Sequence, residues 1–380
     1  MKRVISLIAL LVVLAMAATG CAGSGAAEEK VLTIGICEPM TGGMASSGKY
    51  SVEGATLAVD EINAAGGVTV GGEAYKLQLS VQDNEGKTDV TINAYNKLIG
   101  EDKVIAIIGT NTSGTSMAAG PVATKAKIPA ISPIATNPDV TTVGGEYVFR
   151  VCMTDDYQGI MVARAVSELL GCKRGCVLFN NSDDFSVGIK DLFVEQFESF
   201  GGEVHTVAYA GADVKDFRAQ LTQINEFGGE FLFIPAQPNE IPLIIQQARE
   251  IGIDAKIIGD SSWEVDTIPE IAGADVVEGC YFLSMFAADS DEAKVQGYAK
   301  KYQDAYGHLA NSISVMNYDA VYLLKKALED CGTVTDSEAL RDAIANVNED
   351  LVIGNGFTFS PERNPATPTG YIMQYRSGLP

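Results

Sequence analysis

The chain has 380 residues, of which 47% are hydrophobic and 20% charged, and its formal net charge is −22. That length exceeds one ordinary core and suggests two domains, while the acidity leaves no basic face for nucleic acid or for an anionic membrane surface. The two histidines, at 205 and 308, complete no Ser-His-Asp constellation, and no His/Cys cluster has ligand spacing. The expectation is therefore a protein that is not an enzyme and carries neither cofactor nor metal.

Residues 1–20 have the pattern of a targeting segment: Lys2 and Arg3, an apolar run over 4–18, then Ala18-Thr19-Gly20-Cys21. The apolar run is short for a membrane span. The last four residues resemble the lipobox of bacterial lipoproteins, which are cut before the cysteine and carry a diacylglycerol on it. Residues 21–30, small and polar, read as a tether. No later stretch has the length and apolarity to cross a bilayer, so the mature protein is expected outside the cytoplasm, on the outer face of the membrane or in a periplasm, held by lipid at Cys21. Cys37, Cys152, Cys172, Cys176, Cys280 and Cys331 remain. Export permits disulfides among them without choosing the pairs, and buried free thiols are the default for those in or beside apolar runs.

A first strand over 31–37 leads into a loop in which Gly43, Gly48 and Lys49 nearly spell a phosphate-binding loop. Tyr50 stands where that motif needs the Mg²⁺-binding Ser or Thr, so the motif fails. A helix over 52–65 ends at Gly66-Gly67, a strand spans 75–82 and a helix 88–99. The stretch 104–139 is the most informative. VIAIIG is a buried parallel strand by its uninterrupted β-branched run, and it exits into TNTSGTS, where Thr110, Thr112, Ser113 and Thr115 precede a helix from about Ser116. The free N–H groups of that helix make an anion seat. A strand over 128–132 then delivers Pro133, Ile134, Ala135 and Thr136 to the same edge, the edge at which open α/β sheets bind ligands. The glycosylation sequon at Asn111 is read as a chance match.

After a strand at 146–151 the pattern restarts. Helices at 158–170, 187–200, 217–227 and 241–251 alternate with strands at 175–180, 203–208, 230–234 and 255–258. The chain is expected to cross back near 278–285, to lay helices 292–306, 314–331 and 337–347 over the first sheet, to cross again near 353–356, and to end in a strand pair, 357–360 with 370–375. Two successive βα arrays make the fold α/β, each half a mostly parallel sheet flanked by helices.

The segments VLTIGICEPMTGG, EGATLAVDEINAAGG, VQDNEG, VIAIIGTNTSG, IPAISPIATNPD and NEIPLIIQQAREIGI, spread over almost all of the mature chain, resemble the leucine/isoleucine/valine-binding protein family of type I periplasmic binding proteins. The resemblance implies two lobes joined by three hinge crossovers: residues 31–150 plus 281–354, and 151–280 plus 355–380. It implies that Ser113, Thr136 and the main chain of Ile134 hold the carboxylate of an amino acid, with Phe185 and Gln237 as lids from the second lobe, Gln237 replacing the usual Tyr. The family's acid for the ligand ammonium falls on Ser261, a departure, and Asp260 is the preferred replacement ahead of Glu264. Ser47 stands where the family has Tyr or Trp. The implied activity is that of a monomeric lipoprotein delivering an amino acid to ABC permease subunits. Aliphatic ligands are favoured, although Asn111, Ser47 and Gln237 also suit a small polar amino acid or amide, and Phe185 and Trp263 supply apolar walls. A sensor of the same fold reporting to a membrane receptor makes the same demands on the sequence.

Overall fold

In the computed structural model, which describes residues 29–211 and 214–376, the apolar runs form two six-stranded sheets. The expected leader, Cys21 and most of the tether lie outside the described residues. The first sheet contains β1 (Val31–Glu38), β2 (Val68–Val70), β3 (Glu73–Asp83), β4 (Ala106–Ile108), β5 (Ala130–Ser132) and β6 (Val148–Arg150), in the spatial order β2-β3-β1-β4-β5-β6. Every pairing is parallel except that of β2 with β3. Strands β4, β5 and β6 are buried throughout, as strands covered by helices on both faces must be. The connecting helices are α1 (Ala45–Ala64), α2 (Thr88–Gly100), α3 (Ser113–Ala126) and α4 (Asp139–Gly144). Strand β2 is an addition to the sequence reading: three residues between two glycine pairs are too few for a periodicity to register.

The second sheet begins with β7 (Arg174–Asn180), β8 (Glu203–Tyr209), β9 (Phe231–Ile234), β10 (Lys256–Gly259) and β11 (Tyr281–Ser284). Its helices are α5 (Asp155–Arg164), α6 (Asp184–Ser199), α7 (Arg218–Phe227), α8 (Ile241–Ile251), α9 (Thr267–Ala272) and α10 (Ala274–Val277). Next come α11 (Ala293–Tyr306), α12 (Ser312–Cys331) and α13 (Ser337–Ala345), and the chain then makes a hairpin of β12 (Glu349–Leu351) and β13 (Gly354–Phe357). Strand β14 (Tyr371–Gln374) returns antiparallel to β11 and completes the order β14-β11-β10-β9-β7-β8.

Helices α11 and α12 lie against α1 on the first sheet. A Cβ at Gly54 of α1 would fall on the Ser314 carbonyl of α12, so the two helices approach closely only because position 54 has no side chain. The hydroxyls of Tyr302 and Tyr318 donate to the carboxylates of Glu53 and Glu61 on α1, each at 2.6 Å.

Two departures from the sequence reading concern how the second sheet is completed. Residues 281–284 belong to the second sheet, because β11 continues its parallel ladder with Ile258 opposite Tyr281; the chain leaves that sheet after Ser284, beyond the expected boundary at 280. The final strand pair also forms differently. The buried Asp319 of α12 accepts the N–H groups of Val352 and Ile353 at 3.1 and 2.9 Å, which folds β13 back on β12 and leaves β14 to pair with β11. The six cysteines among the described residues are free thiols. No helix among them is long and apolar enough to cross a membrane.

Candidate ligand site between the two sheets

A cleft lies between the sheets. One wall is built from the exits of the first sheet: Met44, Ser47, Asn111, Thr112, Ser113, Ile134 and Thr136. The other carries Phe185, Gln237, Pro238, Ser261 and Ser262, and Met285, Ser312 and Ile313 close the side where the chain returns. Six of the seven candidate ligand residues, Ser47, Ser113, Ile134, Thr136, Phe185 and Gln237, therefore line one cleft; Asp260 does not.

Helix α3 starts at Ser113, earlier than the expected Ser116, because Thr112 has extended backbone and its hydroxyl accepts the Thr115 N–H at 3.4 Å as an N-cap. Ser113 Oγ accepts the Asn137 N–H at 3.2 Å, which leaves its own proton for another acceptor. The N–H groups of Ser113 and Gly114, first in the helix, have no acceptor within it. Most of the other hydroxyls in this loop are occupied with one another: Thr110 shares hydrogen bonds with Thr115 at 2.6 Å and with Ser116 at 2.8 Å. They brace the loop, and Ser113 is the hydroxyl that serves the cleft.

The second loop is held by Arg150, which is fully buried at the end of β6. Its Nε and Nη2 donate to Asn364 Oδ1 at 2.9 and 2.8 Å, its Nη1 to the carbonyls of Ala135 and Asn137 at 3.0 and 2.6 Å, and its Nη2 also to that of Pro138 at 3.3 Å. The Thr136 carbonyl accepts the Asp155 N–H at 2.9 Å. Successive carbonyls are thus committed to groups outside the cleft, and the loop presents the Thr136 side chain to it. Sequence reasoning placed Arg150 at a crossover without recognising this role; an arginine inside an apolar strand, EYVFRV, was the available signal.

On the facing wall, Asp183 caps α6 by accepting the Ser186 N–H at 3.3 Å, which places Phe185 in the first turn. Asp183 also accepts from Gln237 Nε2 at 2.9 Å. The Gln237 amide is thereby oriented with its carbonyl oxygen free. Asp260 is fully buried and accepts the Ser262 N–H at 2.7 Å, capping the short 3₁₀ turn that presents Ser261 and Ser262. Its side chain is turned inward by that cap, away from the cleft. Trp263 is likewise buried behind the wall, its Nε1 donating to the Ile234 carbonyl at 3.1 Å, and is no part of the lining. Glu264 is also set back, accepting the Ser312 N–H at 3.3 Å.

Three carboxyls therefore stand behind this wall. Burial pushes Asp155 and Asp260 up to about 7 and raises Asp183; neighbouring carboxylates add to this, Asp183 acting on Asp155, and Asp155 and Asp183 on Asp260. Gln158 connects them to the cleft, donating to Asp155 Oδ1 at 3.2 Å and accepting the Ser261 N–H at 3.3 Å. Among the described residues the lining carries no charged side chain.

The family model of periplasmic binding proteins matches residues 31–379. A Leu/Ile/Val-binding protein, BraC3 of Rhizobium johnstonii, is 30% identical over 319 residues, 84% of each chain. The chain belongs to the leucine/isoleucine/valine-binding protein family. Among solved structures similar to this family member, the leucine-binding protein LivK of Thermotoga maritima has a TM-score of 0.84 at 29% identity, covering 91% of this chain and 96% of its own. The branched-chain amino acid transporter substrate-binding protein LivJ of Streptococcus pneumoniae, solved with isoleucine, has a TM-score of 0.84 at 31% identity, covering 92% and 97%. The two-lobed α/β fold expected from the sequence is the fold of this family.

Proposed function

We propose that the protein binds an α-amino acid in the cleft, outside the cytoplasm, and passes it to the permease of an ABC transporter while tethered by lipid at Cys21. The observation that carries this reading is the arrangement at Ser113: a hydroxyl with its proton unassigned, at the N-terminus of a helix, opposite the Thr136 loop. A carboxylate held there by Ser113, Thr136 and the main chain of Ile134 gains charge-assisted hydrogen bonds of about 1.5–3 kcal/mol each, with the helix dipole adding to them. The ammonium is received by neutral acceptors, the Gln237 carbonyl and the Ser261 hydroxyl, with the buried carboxyls of Asp155, Asp183 and Asp260 set behind them.

The lobes in this reading are residues 31–150 with 285–357, and 151–284 with 371–376. Among the described residues the lining offers hydroxyls, amides and thioethers with no general base beside a nucleophile, which supports a carrier over a catalyst. The names of the relatives support the ligand class. A thermal-shift panel of amino acids tests it: a ligand at 100 times its Kd stabilises by about 2.7 kcal/mol, and the absence of any shift with every α-amino acid overturns the reading. Cys21→Ser tests the tether, since the variant is expected to be released from membranes; a variant retained on them with unchanged mass removes the lipid anchor.

A further inference from the structure

Two residues of the first-sheet wall carry buried polar atoms without a partner. Ser47 Oγ and Asn111 Nδ2 belong to residues that line the cleft at 2% and 6% exposure, and behind them, outside the lining, the fully buried Glu38 carboxyl faces the Asn111 backbone N–H. Their convergence has a structural cause. Strands β1 and β4 pair with Ile36 opposite Ile108, so Glu38 leaves the sheet level with Thr110, the residue before Asn111. Helix α1 is drawn onto the same exit at Gly48, where a Cβ would collide with the Pro39 carbonyl, and this brings Ser47 alongside. A Cβ at Gly109 would lie 3.1 Å from Glu38 Oε1, which sets the carboxyl directly beneath the turn into Asn111. Ser51 Oγ donates to Asn111 Oδ1 at 3.2 Å, so the amide presents Nδ2 as its free end.

Each unpaired buried polar group costs about 1–3 kcal/mol, and an aliphatic ligand group pressed against this wall would leave Ser47 and Asn111 unsatisfied. A donor at Asn111 and a hydroxyl at Ser47 together complement a group that both accepts and donates, with the Glu38 carboxyl behind them. Because burial holds the Glu38 carboxyl well above the carboxylate range, the wall is matched to a neutral group and not to a cation. Asn111 lies two residues before Ser113 in one loop, so a ligand seated by its carboxylate at Ser113 has its side chain at this wall.

We infer that Ser47 and Asn111, backed by Glu38, form a side-chain subsite selecting amino acids that end in a carboxamide or hydroxyl over aliphatic ones of the same shape. This rests on the cleft being an amino-acid site. The test uses nearly isosteric pairs, asparagine against leucine and threonine against valine, in calorimetric titrations of the wild type, Asn111→Leu and Ser47→Ala, each checked for cooperative thermal unfolding. The wild type is expected to prefer the polar member of each pair by about tenfold or more, with Asn111→Leu cancelling or reversing the preference and Ser47→Ala reducing it. Tighter binding of leucine and valine to the wild type overturns the subsite, as does a polar preference that neither substitution changes. Silence of all four ligands with all three proteins, extended to every other α-amino acid, refutes the amino-acid reading itself and this inference with it.

Discussion

Arg150 Nη1 donates to the Asn137 carbonyl at 2.6 Å, and Asn137 in turn donates its N–H to Ser113 Oγ at 3.2 Å. A buried guanidinium at the point where the chain leaves the first sheet thus sets the position of the hydroxyl assigned to the ligand carboxylate. The same guanidinium reaches Asn364 in the last segment between the two sheets, so the ligand loop and two interdomain segments share one anchor.

Replacing Arg150 removes donors from several buried acceptors at once. Arg150→Lys keeps the charge but not the planar fork, and is expected to cost about 2–4 kcal/mol of stability because it strands carbonyls and Asn364 without donors. Urea unfolding of both proteins reads the difference. Coincident transitions would show that Arg150 is not the anchor.

Ser113→Ala leaves the Thr112 cap of α3 in place and removes one hydroxyl from the proposed carboxylate seat. Affinity for the preferred amino acid is expected to fall by about 1.5–3 kcal/mol, roughly ten- to a hundredfold or more in Kd, and the free protein to lose about 1 kcal/mol of stability because the Asn137 N–H loses its acceptor. Calorimetry with full affinity retained would place the carboxylate elsewhere.

The buried carboxyls make stability depend on pH. Burial raises Asp155, Glu240, Asp260, Glu264 and Asp319 to about 7 from ordinary values near 4. Between those limits the folded state holds more protons than the unfolded one, so stability decreases as pH rises from about 4 to about 7 and levels off above. Glu61 and Asp83, lowered by their hydrogen bonds against the opposing effect of burial, act oppositely and only at more acid pH. The melting temperature is therefore expected to be higher at pH 5 than at pH 7.5, and Asp260→Asn to flatten the slope. A melting temperature that rises over this interval, or a slope the substitution leaves intact, contradicts the assignment.

Tyr50 of α1 donates to Asp266, beyond β10 on the other side of the cleft, at 2.6 Å. This bond exists only while the two halves are closed on each other. Tyr50→Phe is expected to shift the balance toward the open form and to weaken ligand binding by about 0.5–1.5 kcal/mol. Small-angle scattering with and without ligand, together with calorimetry, provides the check: a wild-type profile that ligand does not contract removes hinge closure, and unchanged affinity in the variant removes the latch.

Local pattern was enough to read the order of strands and helices, the two-lobed α/β fold and the loops that line the cleft. β-branched runs declare buried parallel strands, and the topology of such a sheet puts consecutive strand exits on one edge, so Ser113 and Thr136 were legible as neighbours though 23 residues apart. Side-chain direction was not legible, because it is decided by partners distant in sequence. Thr110, Thr115 and Ser116 look equivalent to Ser113 in the chain, yet they bond one another while Asn137 turns Ser113 into the cleft. Asp260 is adjacent to Ser261 but is drawn inward by the turn it caps. The grouping of Glu38, Ser47 and Asn111 depends on a strand register and on a helix that can approach only at Gly48. These are consequences of dense packing, in which each polar group is oriented by whichever donor or acceptor the fold brings against it, and only the tertiary structure supplies that partner.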